Sequence, residues 1–111
     1  MTSTGFSDKS YEQLTNLARE LTRTHLNLER AASTFDKLGL PSNSLQQANE
    51  ETINHLKNVF SELGYRNILN PHLDNYTVDD LLDFVISADL YDTLLESYTE
   101  GSKEANSDKD Q

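Results

Sequence analysis

Cysteine is absent from this sequence, as is tryptophan, and only two prolines and four glycines interrupt its 111 residues. Without cysteine there can be no disulfide, no thiol nucleophile and none of the commonest structural zinc sites. No run approaches the roughly 18 consecutive apolar residues that a membrane-spanning helix needs. Met1-Thr2-Ser3-Thr4-Gly5-Phe6 lacks the basic and apolar regions of a secretion signal, so the expected location is the cytoplasm, or the nucleus in a eukaryotic cell. Positive charge is missing locally as well: from Asn67 to Ser102 there is no lysine or arginine.

That gap concentrates the formal net charge of −10. Residues 1–66 hold seven basic and eight acidic side chains, whereas residues 67–111 hold two basic and eleven acidic ones. Direct nucleic-acid binding, which rests on cations neutralising phosphates, is disfavoured, and so is an anionic membrane surface. The chain should nevertheless fold. Leu, Ile, Val and Phe supply 27 of its residues, above the roughly one-fifth below which a highly charged chain stays disordered, and the length suits one domain.

The remaining pattern is helical. Ser10 with Gln13 has the spacing of a capping box, with a start one turn earlier at Ser7 as the alternative. Tyr11, Leu14, Ala18, Leu21, His25, Leu28, Ala32 and Phe35 then recur at coiled-coil-like spacing until Gly39 and Pro41 stop the helix. Ser44 with Gln47 opens a second amphipathic helix whose apolar face runs from Leu45 to Leu63, with Gly64 as its stop. Asn70-Pro71 suggests a single turn to Asp74, and Thr77 with Asp80 caps a third helix. Within that helix Asp80-Leu81-Leu82-Asp83 recurs nine residues on as Asp89-Leu90-Tyr91-Asp92. Nine residues are half a turn net, so one straight helix would show the two copies on opposite sides. Either it is sandwiched between apolar surfaces or it kinks near Ser87-Ala88-Asp89. Nothing alternates with period two. The expected fold is all-α: an antiparallel up-down bundle of three long helices, or four if the last breaks near Ser87–Asp89. Residues 7–100 form the domain, and residues 1–6 and 101–111 read as disordered ends, the second an acidic tail.

Readings based on catalysis fail on spacing. A carboxylate-bridged metal site in a bundle needs Glu-x-x-His, whereas Glu51 and His55 are four apart and Glu20 and His25 five apart. Asp74, Asp79, Asp80 and Asp83 lack the alternate oxygens and central glycine of a calcium loop. Around Leu56-Lys57 and Leu63-Gly64 the chain resembles the histidine phosphotransfer domains, but Asn54 stands where the phosphate-accepting histidine belongs. His25, on the apolar stripe, reads as a hydrogen-bonded core or interface residue. No catalytic residue, metal or cofactor is therefore expected.

What remains is binding. The expected function is a non-enzymatic helical interaction module, an adaptor, regulatory subunit or inhibitor, whose partner is a protein with a basic surface. Asp79, Asp80, Asp83, Asp89, Asp92 and Glu96 would steer that partner. Exposed members of the group Leu90, Tyr91, Leu94, Leu95 and Tyr98 would supply contact area. Two alternatives stay open: a charge-mimicking inhibitor or antitoxin-type protein that fills the basic site of a nucleic-acid-binding protein, and a self-assembling structural protein, with homodimerisation through residues 11–38.

Overall fold

Three helices account for nearly all the described residues, which are 9–69, 82–83, 85 and 88–109 of a computed structural model. They are α1 (Tyr11–Lys37), α2 (Asn43–Leu69) and α3 (Ala88–Lys109), and no strand occurs among the described residues. The protein is an all-α helical bundle.

The start of α1 is the expected capping box. Ser10 Oγ accepts from the Gln13 backbone N–H at 3.1 Å, and Gln13 Oε1 accepts from the Ser10 N–H at 2.8 Å. Its end is a Schellman turn: Gly39 adopts φ 71°, its N–H donates to the Asp36 carbonyl and the Leu40 N–H to the Phe35 carbonyl. α2 starts slightly earlier than the Ser44 signature implied. The Ser42 carbonyl accepts the Gln46 N–H, while the buried Ser42 hydroxyl donates to Asp36 and accepts from the Gln46 amide. One serine therefore ties the turn to both helices.

Gly64 does not end α2, which runs five residues further to Leu69. Nor do residues 101–109 form a disordered tail, because α3 continues through Gly101 to Lys109. The two corrections have one cause. A Cβ on Gly64 would come within 2.9 Å of the Tyr98 carbonyl carbon, and one on Gly101 within 2.7 Å of the Ser61 carbonyl carbon. Both glycines are where two helix backbones touch, a use of glycine that a terminator pattern imitates.

The contacts along α2 also set helix directions. α1 is antiparallel to it, since Lys9 meets Arg66, His25 meets Asn49 and Asp36 meets Ser42. α3 is parallel to α2: Ile53 lies beside Leu90, Gly64 beside Ser102, and Tyr65 reaches Asp108. The up-down-up order expected for three helices therefore gives way at the third. Of the two readings of the last segment, the break near Ser87–Asp89 is the one found: α3 begins at Ala88, while Leu82 and Asp83 form a turn and Val85 is outside any helix. This break lets Leu82 and Leu90, one from each copy of the nine-residue repeat, enter the same core. The expected turn at Pro71–Asp74 and cap at Thr77 lie outside the described residues, as do residues 1–6.

Among the described residues, the core consists of Leu14 and Ala18 from α1, Leu56, Val59, Phe60 and Leu63 from α2, Leu82, and Leu90, Leu94 and Tyr98 from α3. Each large side chain buried there contributes about 1.5–3 kcal/mol. α2 touches both neighbours extensively and is the central helix. The end of the α1 stripe is uncovered: Phe35 and, in the turn, Leu38 and Leu40 are exposed.

Replacing Gly101 by alanine tests the backbone contact by its sign. On helix propensity alone Gly101→Ala would stabilise α3 by about 1 kcal/mol. Overpacking against Ser61 should instead destabilise the fold by about 1–3 kcal/mol or more, read from the urea midpoint at unchanged m-value.

Candidate functional site

Because Leu90, Leu94, Tyr98, Gly101 and Ala105 face inward, the side chains between them must face out. Asp89, Asp92, Glu96, Glu100 and Glu104 are all exposed, and Asp83 is exposed in the preceding turn. Lys103 is the only cation from Ala88 to Asp108. It is 3.8 Å from Glu100, with both side chains about two-thirds exposed (69% and 66%), a geometry that contributes little. The outer surface of α3 is thus an acidic stripe on a fixed apolar backing.

Three expected contact residues belong to that backing. Leu90, Leu94 and Tyr98 are buried in the core, and the Tyr98 hydroxyl accepts a hydrogen bond from the Asn67 amide. A parallel α2 covers the face that they share, so they are not available to a partner. Tyr91 and Leu95 are half-buried and pack on the edge of the core. Asp79 and Asp80 lie outside the described residues.

The structure adds a feature beside the stripe. A cleft of about 280 Å³ opens where the three helices meet, lined by His25 and Glu29 of α1, Asn49 and Ile53 of α2, and Asp89, Leu90 and Thr93 of α3. Of these, His25 is buried. Its Nδ1 lies 2.6 Å from the Asn49 amide oxygen and its Nε2 faces the Glu29 carboxylate. The expected hydrogen-bonded histidine is therefore present, with its partners now identified. Glu29 was detectable in the sequence, because it sits four residues after His25 on the same helix face. Asn49 was not, since the pairing of α1 with α2 decides which polar residue it meets.

At the opposite end two ion-linked contacts fasten the bundle. The buried Glu62 accepts from Arg66 Nε at 2.6 Å, and Arg66 also donates to the Lys9 carbonyl. Tyr65 donates its hydroxyl to Asp108 at 2.6 Å. That hydrogen bond, with partial burial and the charges of Asp108, Glu104 and Glu62, raises the tyrosine above its ordinary value. A phenolate would lose the bond and face three carboxylates.

Among the described residues, no group of three or more His, Asp or Glu side chains is arranged to hold a metal ion, and no helix is long and apolar enough to cross a membrane. No protein-family model matches the chain, and comparison with curated proteins and with solved structures returns no match. A functional reading therefore draws on geometry and charge alone.

The Tyr65–Asp108 bond carries a pH dependence of definite sign. A phenol whose folded-state pKa is raised contributes stability that is fully present below the unfolded value, about 10, and lost as pH rises through the folded one. The stability difference between the native protein and Tyr65→Phe, from urea unfolding, should be constant below pH 9 and shrink or reverse above about pH 10. A difference unchanged up to pH 11 would contradict the bond.

Proposed function

We propose that the protein is a non-enzymatic helical interaction module that docks a basic protein partner on the acidic face of α3. The observation that carries this is the stripe itself. Asp89, Asp92, Glu96, Glu100 and Glu104 follow one another at three- and four-residue spacing, with Lys103 as the only balancing charge. Like charges so spaced destabilise a helix by about 0.2–0.5 kcal/mol per pair, so this row costs on the order of 1 kcal/mol. A helix serving only as a solvated wall would intersperse signs and avoid that cost. A basic partner removes the repulsion on docking and is drawn in from a distance, because complementary fields raise encounter rates more than they raise final affinity.

A second reading uses the same surface. Carboxylates repeating every three or four residues along a rigid helix stand about 4.5–6 Å apart along its axis, a regular row of negative charge that could occupy a phosphate-binding site. Duplex DNA would compete for the partner under this charge-mimicking reading and would not under the first.

Charge reversal separates the acidic face from the rest of the molecule. The double variant Asp83→Lys/Asp92→Lys changes only exposed side chains and should fold normally by circular dichroism. Partners captured from native extract by the native chain should be lost or weakened about tenfold in the variant. They should also weaken as salt rises from about 0.01 M to about 0.15 M, which shortens the Debye length from about 30 Å to about 8 Å. Capture indifferent to both changes would rule out the acidic face.

A further inference from the structure

We propose that the cleft between His25 and Asp89 is a socket for one lysine side chain of the partner protein. This rests on the docking role of α3 and adds a specific point of attachment to it.

Size decides what can enter. At about 280 Å³ the cleft is just below the roughly 300–1,000 Å³ range of pockets that enclose small-molecule ligands and cofactors, yet it has ample room for a four-carbon stem and an ammonium group. The lining suits that shape. Ile53 and Leu90 give an apolar wall for the stem, and Glu29 and Asp89, from two different helices, bring carboxylates to the same opening. Thr93 adds a neutral polar side chain, and among the described residues no lysine or arginine lines the cleft. Asp89 lies in the first turn of α3, where its charge offsets the roughly half-unit positive end of the helix dipole. Glu29, whose carboxylate also meets His25 Nε2, adds a second acidic group at the opening. His25, held between Asn49 and Glu29, fixes the spacing of two of the walls.

Position favours a protein source over a free amine. Asp89 belongs both to the cleft and to the stripe that continues through Asp92 and Glu96. A basic segment lying along α3 would therefore bring a lysine to the socket while its other cations meet the stripe. The compact ammonium fits better than the planar guanidinium, which gains most from bidentate pairing with a single carboxylate.

The test is an NMR titration of the full chain with a blocked glycine pentapeptide carrying one central lysine, alongside the same peptide carrying norleucine. The lysine peptide should shift the His25 ring and the Ile53 and Thr93 methyl signals saturably, and the norleucine peptide should not. Glu29→Gln lies off the α3 stripe and should weaken lysine binding about tenfold, as expected for loss of a charge-assisted contact. Thr93→Val, which changes a cleft residue outside the row of carboxylates, serves the same purpose if Glu29→Gln fails to fold. Equal binding of the norleucine peptide would overturn the socket. Binding of n-butylammonium without the lysine peptide would overturn the protein source. Shifts confined to residues 96–104 would remove the socket and leave the acidic docking face standing. Capture indifferent to Asp83→Lys/Asp92→Lys, with lysine still entering the cleft, would do the reverse.

Discussion

Two helix backbones come this close only where one of them lacks a side chain at the contact, and among the described residues that happens at Gly64 and Gly101. Each glycine faces a carbonyl of the other helix, Tyr98 opposite Gly64 and Ser61 opposite Gly101. The rest follows from that contact. It sets the register of α3 on α2, and Ser102, whose one hydroxyl proton is shared between the Gly64 carbonyl of α2 and the Tyr98 carbonyl of its own helix, adds a link across it. With Gly101 inward, the helical repeat turns Leu94, Tyr98 and Ala105 inward too and sends Asp92, Glu96, Glu100 and Glu104 to the outside. The acidic stripe is thus a consequence of where a glycine sits.

The same register places the first turn of α3 beside the middle of α2. Asp89 and Thr93 there meet His25 and Glu29 of α1 and Asn49 of α2, so the cleft draws on all three helices. Moving α3 by one turn along α2 would shift Asp89 about 5.4 Å and take a carboxylate out of the opening. Packing and electrostatics are coupled in this way. The backbone contact sets which charges share a face.

Much of the fold was legible in the sequence because its signals are local. The Ser10–Gln13 capping box, the Gly39 stop and the apolar faces of α1 and α2 depend on residues within a turn or two of each other. What misled was chemistry with two uses. A glycine after an apolar run reads as a helix stop, and at Gly39 it is one. At Gly64 and Gly101 the same residue serves a neighbouring helix, and only the partner backbone distinguishes the cases. Leu90, Leu94 and Tyr98 looked like spare apolar surface because α3 seemed apolar all round. The nine-residue repeat already contained the resolution, since a break lets both copies face one core. The acidic face was legible from charge alone. The cleft was not, apart from the His25–Glu29 spacing, because it is assembled from segments more than 20 residues apart.

Residue-level amide hydrogen exchange measures the central contact most directly. If Gly101 holds α3 against α2, the amides from Gly101 to Ala105 should exchange about as slowly as those from Phe60 to Gly64, since both stretches open only when that interface separates. Exchange of 101–109 at the rate of an unstructured tail, with α2 still protected, would contradict the contact. It would also remove the support that holds the acidic face in place.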